Sequence, residues 1–186
     1  MATARATVLT GLALAMALPA AAQQTPTYLA PWVSSPMAVV ERMLELAKVK
    51  PGETVFDLGS GDGRVLIAAV NKFQAKGMGV ELSQRLVKLS EENIHKEGLD
   101  SKIQVIHGNM LDVDISKADV VTMYLVRDAN DMLRPKLESS LRAGARVVSH
   151  DFEVRGWKPA HVDKGAGAGK NRPHAIYVYE MPQHAK

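Results

Sequence analysis

Asp57 and Asp62 bracket a glycine turn, Asp57-Leu-Gly59-Ser60-Gly61-Asp62-Gly63, and Glu81 follows Asp57 by 24 positions. Acids in such a turn imply a particular ligand. A bare diphosphate prefers the N–H groups of a helix N-terminus with no competing anion. Two carboxylates there suit a ligand that brings positive charge, such as an ammonium together with a sulfonium. Glu81 can accept both hydrogen bonds of a ribose diol, as an acid does in other doubly wound nucleotide sites. The spacing is G-x-G-x-G and the position three beyond Gly61 is Arg64, so the dinucleotide pattern G-x-G-x-x-G is not met.

The elements that must hold these residues are readable on either side. Val55, Phe56 and Leu58 make a buried strand, and Val65 to Ala69 start a helix that packs on the sheet. A strand, a glycine turn and a helix N-terminus form the first crossover of an open α/β sheet. Upstream, Met37, Val40, Met43, Leu44, Leu46 and Ala47 form an apolar helix face. Ser35 is placed to cap that helix, with Pro36 at its first position. Lys50-Pro51-Gly52 ends it.

Downstream, the helix after the turn is expected to run to about Lys76 and stop at Gly77. Gly77 to Glu81 reads as the second strand, Ser83 as the cap of the next helix, and Ile103 to His107 as the third strand, with His107 a packed core residue. Ala118 to Val126 reads as the fourth strand. Asn130 to Leu141 suits a helix that Pro135 kinks or restarts, and Arg146 to Phe152 reads as the fifth strand. A loop at Gly156-Trp157-Lys158-Pro159 leads to a sixth strand over 160–164, and His174 to Glu180 alternates as a closing strand. Gly165-Ala-Gly167-Ala-Gly169-Lys170 lacks the first glycine and the final Ser or Thr of a phosphate loop, so it reads as a hairpin.

Asp57-Leu-Gly59-Ser60-Gly61-Asp62-Gly63 with Glu81 resembles the first motif and the ribose-binding acid of the class I S-adenosylmethionine (SAM)-dependent methyltransferases. That resemblance covers about residues 36–182. It implies a Rossmann-like α/β fold: a seven-stranded sheet, mostly parallel, with an antiparallel C-terminal hairpin and helices on both faces. It also implies SAM as cofactor. Asp57 and Gly59 to Gly63, including Ser60 and Asp62, would hold the methionine end, Glu81 the ribose, and Asn109 and Met110 the adenine. Asn109 stands where that family often has an acid, and an amide oxygen can accept the same bond.

A closer resemblance lies outside the cofactor motifs. Pro31-Trp32-Val33-Ser34-Ser35-Pro36, Tyr124-Leu125, Leu133-Arg-Pro135-Lys-Leu137, Gly144-Ala-Arg146-Val-Val148-Ser149 and Gly156-Trp157-Lys-Pro159 recur in order. They are similar to the small family containing the lysine methyltransferases of the ATP synthase c-subunit and the adenine nucleotide translocase, and its bacterial relatives. That family usually has Pro-Thr where Ser34 and Ser35 stand here. The implied reaction is direct in-line methyl transfer to a nucleophile, with a protein lysine amine as one acceptor. Asp119, Tyr124 and Asp151 are the candidates for placing that amine.

Each acceptor-side residue also has a plain structural reading. Tyr124 could be a buried ring, and His150 with Asp151 could hold a proton relay or only pack. Trp32, Ser34 and Ser35 could touch the cofactor or form a tether. Two other functions fit parts of the sequence: an exported protein that binds SAM or a nucleoside without turnover, and an NAD-linked oxidoreductase. No metal site is expected, and a monomer is.

Length, charge and the N-terminus bound these readings. The 186 residues suit one domain with a full core, and 46% apolar with 23% charged residues is ordinary for a globular chain. The net charge of +3 comes without a dense Lys/Arg tract, so no nucleic-acid footprint is indicated. With no cysteine, disulfides and thiolate chemistry are excluded. Residues 1–22 read as a secretory signal peptide: Arg5, an apolar run from Ala6 to Leu18, then Pro19 and small residues before Gln23. Export to the periplasm is the expectation, with a membrane-associated uncleaved segment as the alternative. Residues 23–35 form an extended lead held out of a helix by Pro26, Pro31 and Pro36. No membrane span is expected in the mature chain.

Overall fold

The computed structural model describes residues 33–166 and 173–183. The N-terminal segment 1–22, most of the lead including Trp32, and the glycine-rich tip 167–172 lie outside the described residues.

Alternation along one strand sets the layering. In β1 (Thr54–Leu58), Phe56 and Leu58 face one side of the sheet and Val55 the other. Val55 meets Val40, Met43 and Leu44 of α1 (Met37–Leu46) and Val65 and Ala69 of α2 (Arg64–Phe73) in one core. Phe56 and Leu58 join Leu133 and Leu137 of α4 (Arg127–Ser140) in the other. A third cluster seats α3 (Gln84–Lys96) beside α2, through Ile94, Leu66 and Val70. Helices therefore cover both faces, as expected.

The remaining strands are β2 (Lys76–Glu81), β3 (Ile103–His107), β4 (Val120–Met123), β5 (Arg146–His150), β6 (His161–Ala166) and β7 (His174–Glu180). Their order in the sheet is β3-β2-β1-β4-β5-β7-β6. The first five pair in parallel, and β7 is antiparallel to both β5 and β6. Strand order reverses beside β1, and the carboxyl ends of β1, β2 and β4 open there, which is where such sheets bind ligands.

Several local expectations shift. α2 stops at Phe73 because Gln74 takes a left-handed φ of 56°, and Lys76 is already paired to β1 by its N–H to the Glu53 carbonyl (2.7 Å). β4 ends at Met123, so Tyr124 leaves the sheet at its carboxyl edge. α4 begins at Arg127 and passes through Pro135 as one helix. β5 ends at His150 because Asp151 turns the chain with φ 62°. Neither serine caps a helix with its side chain. At α1 the Pro36 carbonyl accepts from Val39 and Val40 (2.9 and 3.0 Å), and at α3 the Ser83 carbonyl accepts from Leu86 and Val87 (both 2.9 Å). His107 is exposed, not packed in the core, and its Nε2 meets the Leu82 carbonyl at 3.0 Å.

Among the described residues no helix is long and apolar enough to cross a membrane. Leu133 is fully buried while Met132 beside it is half exposed. Leu133→Ala should therefore cost about 2–5 kcal/mol, read as a lower urea midpoint, because it opens a cavity between α4 and the sheet. Met132→Ala should stay within about 0.5 kcal/mol.

Candidate active site

The cofactor-type turn is built by its backbone. Gly59, Gly61 and Gly63 have φ of 82°, 55° and 81°, a region other residues enter at a cost. At Gly63 a side chain is also excluded by space, since a Cβ would lie 2.4 Å from Ser90 Oγ. The turn hangs from the end of β2: Gly59 and Ser60 donate to the Val80 carbonyl at 2.8 and 3.1 Å. Glu81 completes the tie. Its Oε2 accepts from Gly61 N–H at 3.0 Å and its Oε1 from Ser83 N–H at 2.8 Å. The expected ribose acid thus also braces the loop, and each of its oxygens keeps a second lone pair for a diol.

Asp57 sits at the end of β1 and is buried. Parallel pairing sets it opposite Thr122, whose hydroxyl donates to Asp57 Oδ1 at 2.7 Å. Burial pushes its pKa up to about 7; the Thr122 bond opposes this, and the neighbouring Glu81 and Asp62 charges add to it. The carboxyl is thus poised to ionise when a cation arrives.

Asp62 behaves oppositely. Burial raises its pKa, but hydrogen bonds and charge from Arg64 outweigh burial and hold it below the usual carboxylate range. Arg64 Nη2 meets Asp62 Oδ2 at 2.5 Å, and Arg64 Nη1 donates to the Ser35 carbonyl at 2.9 Å. The lead segment is thereby tied to the glycine turn.

These groups line one cavity of about 550 Å³, together with Val33, Ser34, Ser35, Asn109, Met110 and Tyr124. That is room for a nucleoside-sized ligand. Met110 is buried beside the turn; a Cβ on Gly59 would lie 3.8 Å from its Cε. Asn109 Oδ1 already accepts from Leu111 N–H at 3.0 Å, which fixes the amide and leaves one lone pair on that oxygen.

The acceptor-side candidates divide. Tyr124 lines the cavity, and its hydroxyl donates to Asp151 Oδ2 at 3.1 Å. Asp119 does not belong with them. It precedes β4 at the opposite, amino edge of the sheet, where Oδ2 accepts from Thr54 N–H at 2.8 Å and Oδ1 pairs with Arg142. Its side chain serves strand pairing, so it is withdrawn as a catalytic candidate.

Three further residues contribute whose roles have no local signal in the sequence. Thr122 could be found only from the β1–β4 register. Arg64 was noted only as a departure from the dinucleotide pattern. His174 opens β7, and its Nδ1 lies 2.9 Å from His150 Nε2 and 3.2 Å from Asp151 Oδ2. His150, Asp151 and His174 place potential ligand atoms within 4.8 Å of one another, at separations that hydrogen bonding already explains.

The residues fit SAM: the glycine cradle admits close approach, a buried carboxyl awaits a cation, and Glu81 faces the same cavity. Comparison with known proteins agrees. The family described as "ANTKMT methyltransferase domain" matches residues 57–161. A protein-lysine N-methyltransferase of Saccharolobus islandicus is 45% identical over 83% of this chain and 95% of its own length. The mouse adenine nucleotide translocase lysine N-methyltransferase is 32% identical over 81% of this chain, which spans 63% of that protein. A Salinibacter ruber RNA methyltransferase, solved with S-adenosyl-L-homocysteine, superposes with a TM-score of 0.77 at 38% identity, covering 83% of this chain and 97% of that one. The NAD-linked and non-catalytic readings fall with these matches. The chain belongs to the ANTKMT methyltransferase domain family, and it is a class I SAM-dependent methyltransferase.

Proposed function

We propose that the chain methylates the side-chain amine of a lysine in a protein substrate. The observation that supports this most is the 45% identity to a protein-lysine N-methyltransferase across nearly all of that relative's length. The small net charge and the absence of a basic tract favour a protein over a nucleic acid as acceptor.

Each cofactor residue takes the role its chemistry suits. Asp57, with the turn Gly59-Ser60-Gly61-Asp62-Gly63, holds the amino-acid end. Glu81 would accept from the ribose hydroxyls, Asn109 would accept from the adenine amine, and Met110 would lie against the ring. Bound SAM would supply a methyl group on a sulfonium, the carbon–sulfur electron pair leaving with sulfur as the amine nitrogen takes the methyl carbon. The chain's contribution is mainly alignment of the nucleophile, because that leaving group is already activated. Tyr124 and Asp151 sit on the acceptor side.

Titration calorimetry with S-adenosylhomocysteine tests the cofactor roles. Removing the Glu81 carboxylate in Glu81→Ala should weaken binding by about 1.5–3 kcal/mol. Because the raised pKa leaves Asp57 mostly neutral below pH 7 and ionised above it, wild-type affinity should rise about tenfold from pH 6 to pH 8. Asp57→Asn should flatten that dependence.

The acceptor is tested by incubating the protein and labelled SAM with a membrane-protein extract and, separately, with total RNA. Mass spectrometry should find methyl groups on lysine in the first reaction. Label entering only RNA would refute the lysine assignment.

Residues 1–22 are proposed to act as an export segment, on the charge and hydrophobicity pattern alone. Sequencing the N-terminus of protein recovered from the periplasm should then begin at Gln23. An intact Met1 on all of the protein would refute cleavage.

A further inference from the structure

Five side chains from four separate stretches of the chain meet beside the cavity. Ser35 Oγ lies 2.8 Å from His150 Nδ1, His150 Nε2 lies 2.9 Å from His174 Nδ1, and His174 Nδ1 lies 3.2 Å from Asp151 Oδ2. Tyr124 donates to the same Asp151 oxygen at 3.1 Å. His150 is fully buried, and the Asp151 and His174 side chains nearly so. Burying two imidazoles and a carboxyl is costly unless each is partnered, and apolar side chains of similar volume fill such a space at no greater cost. Stability alone gives no reason for this choice of residues.

The two ends of the set carry the argument. Ser35 and Tyr124 line the cavity, whereas His150, Asp151 and His174 lie behind that wall. Asp151 is held firmly. Its N–H donates to the Ala175 carbonyl at 2.7 Å, its Oδ1 accepts from Ala175 N–H at 3.0 Å, and its φ of 62° turns the carboxyl toward Tyr124. The Tyr124 ring is braced in turn by His150, with centroids 3.8 Å apart. A phenol whose proton points to Asp151 presents oxygen lone pairs to an incoming N–H. One proton assignment satisfies these distances: His174 Nδ1–H donates toward Asp151 Oδ2 and His150 Nε2, and His150 Nδ1–H donates to Ser35 Oγ.

We propose that Tyr124 receives the acceptor amine and that Asp151 and His150, positioned by His174, carry away the proton a lysine ammonium must lose before attack. This rests on the lysine reading given above. The ammonium passes one proton to Tyr124 oxygen as the Tyr124 hydroxyl proton moves to Asp151 Oδ2. Asp151 Oδ2 hands its proton directly to the lone pair of His150 Nε2, 3.5 Å away, while His174 Nδ1–H holds the two in place. The amine ends neutral, Tyr124 and Asp151 regain their starting states, and the excess proton rests on His150 Nε2 while Nδ1–H still donates to Ser35 Oγ. Tyr124, His150, Asp151 and His174 are the titratable members of this set. Arg64, paired with Asp62, reaches the set through the Ser35 carbonyl, and Asp57 faces the same cavity from β1.

The test is the single-turnover methylation rate of a lysine substrate between pH 6.5 and 9.5, for wild type, Tyr124→Phe and His174→Gln, with S-adenosylhomocysteine affinity measured alongside. Both variants should bind S-adenosylhomocysteine within about twofold of wild type, since neither residue has a cofactor role. At pH 7 each should lose about 10²-fold in rate, the range general acid–base help supplies. Most of that loss should be recovered at pH 9.5, where more of the amine is neutral unaided. A purely structural role predicts no such recovery. Unchanged rates at pH 7, or losses equal at every pH, would overturn the proposal, as would stoichiometric metal found in the purified protein and lost in His174→Gln. Wild type that binds S-adenosylhomocysteine and methylates no lysine at any pH would instead remove the lysine reading itself, and this proposal with it.

Discussion

A buried carboxyl hydrogen-bonded to a threonine on the next strand anchors the site. Asp57 can stand at the end of β1 because Thr122 donates to it at 2.7 Å and the sheet order sets β4 at that flank. On the other flank Gly79 pairs with Asp57, and a Cβ there would lie 2.7 Å from Ser60 Oγ. The acid is therefore enclosed by a donor on one side and a missing side chain on the other. Its pKa near 7 follows from that enclosure, and so does its readiness to receive a cationic ligand.

From that point the cavity is closed by ties between distant parts of the chain. Glu81 links the end of β2 to the glycine turn and to the start of α3. Arg64 links the turn to the lead through the Ser35 carbonyl, while the Ser35 hydroxyl reaches His150 at the end of β5. A single residue of the lead thus touches both the cofactor side and the acceptor side. Movement of Ser35 would be felt by both.

The C-terminal hairpin has a chemical as well as a topological role. Because β7 inserts between β5 and β6, its first residue, His174, arrives next to the last residue of β5. A parallel continuation of the sheet would have brought the far end of that strand there instead. The reversed strand thereby delivers an imidazole to the ligand edge.

Much of this architecture was legible in order along the chain. The glycine turn, its two acids, Glu81, the alternation of strands and helices and the closing hairpin follow from local residue types, because backbone freedom, periodicity and charge act over a few positions. Those same signals place Asp57 and Glu81 at a shared edge once a parallel sheet is assumed. Element ends were less legible: α2 stops at Phe73 and β4 at Met123 because pairing with β1, not propensity, decides where the chain must leave. Ser83 stands at the N-cap of α3 as expected, whereas Ser35 gives up that place in α1 to Pro36, its hydroxyl partnered by a buried imidazole. What tertiary structure alone decided is the company each acid keeps. Asp119 looked as eligible as Asp151 until strand direction sent it to the opposite edge, and Thr122 and His174 carry no local mark. Such partnerships depend on strand order and register, which bring residues about 65 and 24 positions apart into contact, and no short-range pattern encodes that.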